Sequence, residues 1–189
     1  MATKTFTQAQ LNASDLNLFA SKGDTFIASA SVTAGGLINC FSSTYDNYKI
    51  VVSNFFATTD CYLWIQGGYF SGTTWIGGNY YQGGAYQAYN TGTITTYNQN
   101  NALPYWQICA GCTAATGFPN SAIVNLTRPA VNTRVAYTAQ STLHLSGGIY
   151  SWSHMGQNAS AQVIDSIRWS TTAGAVSSGN ITVYGVMQA

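Results

Sequence analysis

Short apolar and β-branched runs, broken by Gly, Asn and Asp, recur along most of this chain. Phe26-Ile27-Ala28-Ser29-Ala30-Ser31-Val32 leads into Gly35-Gly36, and Leu37-Ile38-Asn39-Cys40-Phe41 follows. Tyr45-Asp46-Asn47-Tyr48 opens Lys49-Ile50-Val51-Val52-Ser53, and Asp60 opens Cys61-Tyr62-Leu63-Trp64-Ile65. The rhythm returns in Ala122-Ile123-Val124-Asn125-Leu126-Thr127, in Thr133-Arg134-Val135-Ala136-Tyr137-Thr138 and in Thr142-Leu143-His144-Leu145. It closes with Val163-Ile164-Asp165-Ser166-Ile167-Arg168-Trp169 and Ile181-Thr182-Val183-Tyr184-Gly185-Val186. Runs of this length bounded by turn-forming residues predict strands. Polar and apolar residues alternate in Ser166-Ile167-Arg168-Trp169, as in a strand wet on one face. Gly179-Asn180 predicts a hairpin-type turn before the last strand. Many short strands with regular turn signals predict an all-β sandwich or barrel.

Two regions depart from this rhythm. In residues 66–120, Gly67-Gly68, Gly77-Gly78 and Gly83-Gly84 punctuate a run of aromatics, which predicts short strands joined by long loops. Residues 1–24 hold Asp15, Asp24, Lys4 and Lys22, and their apolar residues fit no clean period. They are expected to form an N-terminal arm that docks on a neighbour, ahead of a β-sandwich domain over residues 25–189.

Composition sharpens the picture. Charged residues make up 6% of the 189, there is no glutamate, and the formal net charge is +1. The good helix formers Glu, Lys and Arg are scarce, while Thr, Ser, Gly, Asn and Tyr favour strands and turns. Six scattered cations make no patch for phosphates, so nucleic-acid binding is not expected. No apolar stretch is long enough for a membrane span, and the first residues lack the apolar core of a secretory signal. Between Asp60 and Arg128 there is no charged residue at all. A surface so poor in charge invites association, so much of it is expected to be buried against partners. With few titrating groups, stability should change little between mild acid and mild base.

The candidate chemistry is thin. Cys109-Ala-Gly-Cys112 has the spacing of a zinc knuckle or a redox motif, but Cys40, Cys61, His144 and His154 offer no second pair at ligand spacing. A redox site of that type would need a βαβ context, which the pattern lacks. No metal or cofactor is expected, and the four thiols are expected to be free and buried. His144 reads as a strand residue between leucines, and His154 as a loop residue that could touch a ligand or subunit. No G-x-S-x-G elbow accompanies them, and of the five Asp only Asp165 lies beyond residue 60. No catalytic residues are assigned. The aromatics are the better candidates. Trp64, Trp75, Tyr80, Tyr81, Tyr86 and Tyr89 could serve a protein interface or stack on a glycan. Core filling is the plain alternative, above all for Trp64 on its strand.

The order of several segments resembles a known group. Tyr45-Asp46-Asn47-Tyr48-Lys49-Ile50-Val51-Val52 precedes Thr59-Asp60 and Tyr62-Leu63-Trp64-Ile65. Ile164-Asp165-Ser166-Ile167-Arg168-Trp169 and Ser178-Gly179-Asn180-Ile181-Thr182-Val183-Tyr184-Gly185-Val186 come late. This arrangement resembles tailed-bacteriophage virion structural proteins, over the strands around 45–65 and 163–186. The resemblance implies an antiparallel, jelly-roll-like β-sandwich on a head or tail, in small oligomers and without enzymatic activity. The Trp- and Cys-containing middle departs from it and leaves the virion part open. The expected role is a capsid decoration or cement protein on the outer surface of the head, in contact with the major capsid protein and copies of itself. A tail-fibre or receptor-binding module that recognises host glycans is the alternative.

Overall fold

The alternation of apolar and neutral polar residues sets the architecture, because each strand can bury one face and leave the other in water. The structure, a computed structural model, describes residues 23–32, 35–78, 80–112, 119–145, 148–172 and 176–186. Thirteen strands follow in order: β1 (Asp24–Ser31), β2 (Gly35–Asn39), β3 (Asn47–Ala57), β4 (Cys61–Tyr69), β5 (Thr74–Trp75), β6 (Tyr80–Ala88), β7 (Ile94–Leu103), β8 (Trp106–Cys112), β9 (Asn120–Thr127), β10 (Ala136–Leu145), β11 (Gly148–Asn158), β12 (Ser166–Thr171) and β13 (Val176–Val186). The protein is an all-β sandwich of antiparallel sheets. The large sheet has eight strands in the order β1-β13-β3-β9-β10-β11-β6-β7. The small sheet runs β2-β12-β4-β5, and β8 pairs with β4 beside β5.

If β5–β7 and β10–β11 are set aside, the remaining strands lie in the orders β1-β13-β3-β9 and β2-β12-β4-β8. The chain then changes sheet at every step except from β4 to β8. The β6–β7 and β10–β11 pairs extend the large sheet beyond β9.

The core lies between the sheets. In β9, Asn120, Ala122, Val124 and Leu126 point inward, and Ser121, Ile123, Asn125 and Thr127 point out. Ile50, Val52 and Phe55 of β3 face the same core as Leu63 and Ile65 of β4. The segments that carry the phage resemblance meet on adjacent strands, since β3 pairs with β13. Tyr45 packs on the bare backbone of Gly185, where a Cβ would come within 2.5 Å of its ring. Tyr48 donates its O–H to the Ser42 carbonyl and accepts the Ser42 N–H, each at 2.7 Å. The Arg128 N–H donates to the Asp46 carbonyl at 2.6 Å. These residues hold the fold.

Several expectations are corrected. Residues 66–120 hold longer strands than expected: β6 has 9 residues and β7 has 10, beside the short β5 of 2. The two runs at Thr133–Thr138 and Thr142–Leu145 belong mostly to a single strand, β10, because the Ala139-Gln140-Ser141 link continues the alternation of buried and exposed positions. Gly179-Asn180 does not turn the chain. It lies inside β13 at a register irregularity, where Gly179 has a φ of 151° and its backbone approaches Phe55. His154 is on β11, not in a loop. The first strand starts at Asp24, inside the segment assigned to the arm, and residues 1–22 lie outside the described residues.

Candidate functional site

The six nominated aromatics do not form one site. Tyr80 is fully buried and packs edge-on against Trp106 at 5.1 Å. Tyr81 is half-buried on the outer face of the large sheet, and Tyr86 is half-buried on its inner face near Tyr150. Tyr89 is 86% exposed at the tip of the β6–β7 hairpin. Trp64 and Trp75 do share a surface, the outer face of the small sheet. Core filling, the plain alternative for Trp64, does not hold. Leu63 and Ile65 take the inward positions of β4, and the alternation turns Trp64 outward.

That outer face is built from β4 outward. Trp64, Gln66 and Gly68 fall at every second position, in one row. Trp64 stacks on Tyr105, with ring centroids at 4.8 Å and planes 15° apart. Gln66 accepts a hydrogen bond at Oε1 from Arg168 Nε at 2.7 Å and donates from Nε2 to the Ile76 carbonyl at 2.5 Å. These two bonds satisfy a buried amide and fix the Arg168 side chain. Its guanidinium lies over the Trp75 ring at 4.5 Å. Trp75 itself rests on Gly68, where a Cβ would come within 2.6 Å of the ring. Tyr62, on the same side of β4, is 43% exposed, and Leu37, opposite Arg168 on β2, is 46% exposed.

The turn after β4 borders this face. Phe70 and Ser71 both have a φ of 55°, in the left-handed region that side chains disfavour. The Ser71 N–H is held by Asp165 Oδ2 at 2.8 Å, and Gly72 packs on Leu37. Phe70 stands 72% exposed on this strained turn. Tyr62, Tyr105, Arg168, Leu37 and Phe70 were not nominated from the sequence. The signal was available for Tyr62, because strand alternation places it on the same side as Trp64, whereas Arg168 joins them only through the β12–β4 pairing.

A second cluster is buried. The edge of β8 faces the inner side of the large sheet, and three side chains from three strands close it. Gln82 of β6 accepts at Oε1 from the Gln107 N–H at 3.0 Å and from the Tyr137 hydroxyl at 3.1 Å. The Tyr137 oxygen lies 3.3 Å from His154 Nδ1. His154 stacks on Trp152 at 4.8 Å and is 2% exposed. Burial drives the His154 pKa down to about 4, partly opposed by a hydrogen bond to the Ile108 backbone. The imidazole is neutral at pH 7. It sits among groups that cap a strand edge, an arrangement that serves packing.

The cysteines are all buried with free thiols. Cys61 lies opposite Cys112 across the β4–β8 pair, and Cys109 hydrogen-bonds to Cys112. Burial pushes the Cys61 thiol up to about 12. The hydrogen bond to Cys109, and then burial, raise Cys112, and burial raises Cys40. A thiol must ionise to attack or to bind metal, so these positions oppose both. Among the described residues no group of three or more His, Cys, Asp or Glu could hold a metal ion.

Over β9–β11 the outer face of the large sheet carries no Asp, Glu, Lys or Arg. There it forms a shallow concavity of about 310 Å³, lined by Ser121, Gln140, Thr142, Ser151 and Ser153 around Ile123. Among the described residues no helix is long and apolar enough to cross a membrane. No protein-family model, curated protein or solved structure matches the chain.

Proposed function

We propose that the protein is a virion structural component, a decoration or cement protein on the outer surface of a phage capsid, which acts by contact and not by turnover. The observation that carries this reading is the outer face of the small sheet. Trp64 with Tyr105, Trp75 with Arg168, and Tyr62, Leu37 and Phe70 around them supply the residue types that dominate protein interfaces. Arg168 and Trp75 are held in place by Gln66 and Gly68, so little side-chain freedom remains to be lost on binding. The interleaved strand orders β1-β13-β3-β9 and β2-β12-β4-β8 support the jelly-roll part of the reading, because eight strands wound as two Greek keys give two such sheets. The partners are the major capsid protein and copies of the same chain. Mass action across many contacts would stabilise the assembled particle.

The test is co-sedimentation of the full chain with undecorated phage heads. Trp64→Ala combined with Tyr62→Ser should weaken attachment at least tenfold, about 1.4 kcal/mol, while the melting temperature stays near that of the parent. Unchanged attachment of a folded variant would remove the aromatic face from the reading.

The concavity on the large sheet favours a second reading. Its hydroxyls and amide match the neutral hydroxyls of a sugar, as a tail-fibre or receptor-binding module would need. Binding on a glycan array that is lost in Gln140→Ala would favour this reading over the capsid one.

A further inference from the structure

A sheet edge carries unpaired N–H and C=O groups, and natural proteins blunt it with charge, bulges, short strands or a cover. This sandwich treats its edges unequally. At the β1 edge, Asp24 pairs with Lys49, and the ladder has an irregularity between Phe26 and Ala28. The β2 edge has 5 residues and opens on Gly35-Gly36. The β8 edge is covered by the large sheet, with its Gln107 N–H capped by Gln82. Among the described residues the β7 edge carries no charge and no strand paired beyond it, and its one register irregularity lies at its far end, between Gln99 and Leu103. Its 10 residues, Ile94–Leu103, contain no charge and no proline. They pair with β6 on one side, in unbroken register from Gln82↔Gln99 to Gln87↔Ile94. Ile94 is 65% exposed, and Thr95, Thr96 and Asn98 are exposed as well.

We propose that two copies of this chain join at β7, antiparallel across a two-fold axis, so that their large sheets become one continuous sheet. The choice of a second copy rests on charge. In a two-fold contact residue i of one copy meets residue j of the other and j meets i, so a strand with charges of one sign would bring like charges together. The β7 strand has none, nor does the chain anywhere between Asp60 and Arg128. A charged partner would find no complement along this edge, whereas an identical strand finds backbone partners along the regular stretch Ile94–Gln99 and no repulsion. The pairing gives the self-contact of the capsid reading a definite place but is tested apart from it: a monomeric protein removes the self-contact and not the attachment to heads, and failure to bind heads leaves the pairing standing.

Light scattering on the full chain over a dilution series tests it. The parent should have twice the chain mass and fall to the monomer on dilution. The Thr96→Lys, Asn98→Lys variant places two exposed cations on each edge, so four meet at the axis. It should have the monomer mass throughout, with the circular dichroism and melting temperature of the diluted parent. Amide exchange adds a reading independent of the variant's folding: the β7 amides that point away from β6 should be protected in the parent at high concentration and not at low. A parent that stays monomeric, or a folded variant that keeps the dimer mass, would overturn the proposal.

Discussion

His154 is the residue whose environment departs furthest from its sequence appearance. Its neighbours Ser151-Trp152-Ser153-His154 alternate strictly, with the serines exposed and Trp152 and His154 buried. The flanking Gly147-Gly148 and Gly156 obscure that signal, and the segment reads as a loop. Burial has a measurable consequence. With a folded pKa of about 4 against an ordinary 6.5, the unfolded chain binds more protons between those values. Stability is therefore fully present above about pH 6.5 and is lost as pH falls through 4, by about 3 kcal/mol. This corrects the expectation of a flat profile in mild acid, because one buried imidazole outweighs the scarcity of other titrating groups. Urea unfolding at stepped pH values should show the acid limb, and His154→Gln should flatten it. Trp64 gives a second residue-scale lesson. In Tyr62-Leu63-Trp64-Ile65 every residue is apolar or aromatic, so the period is visible but not which side faces inward. Without a charged residue to mark the wet face, only the packing of Leu63 and Ile65 decides it.

At the level of elements, strand positions were legible wherever Gly, Asn or Asp bounded a β-branched run, as in β3, β4 and β9. Their pairings were not legible, because they join segments distant in the chain: β1 with β13, β6 with β11 and β2 with β12. The polar closure at the β8 edge is a product of such pairings. Gln82, Tyr137 and His154 come together only once β6, β10 and β11 lie side by side. Gln82→Leu would leave the Gln107 N–H and the Tyr137 hydroxyl without their shared acceptor inside the protein. A buried donor left unpaired costs about 1–3 kcal/mol, and chemical denaturation should register a loss of that size. A loss below about 0.5 kcal/mol would mean that the closure adds nothing beyond apolar filling.

For the whole molecule, the scarcity of charge governs behaviour in solution. Among the described residues the ion pairs are Lys49 with Asp24 and Arg128 with Asp46, both partly open to solvent. Exposed pairs contribute at most about 1 kcal/mol and are screened by salt. Raising sodium chloride from low to high concentration should thus move the melting temperature by no more than about 4 °C. A larger fall would point to an electrostatic network beyond these two pairs. The strand order has a different consequence, for how the chain folds. β13 sits between β1 and β3, one strand in from the edge of the large sheet, so a segment distant from both in sequence completes their pairing. Until β13 arrives, β1 and β3 each hold open an unsatisfied ladder, with few like charges to keep neighbouring chains apart. Such long-range pairing slows folding, and its yield depends on how long the unfinished sheet is sheltered from other chains.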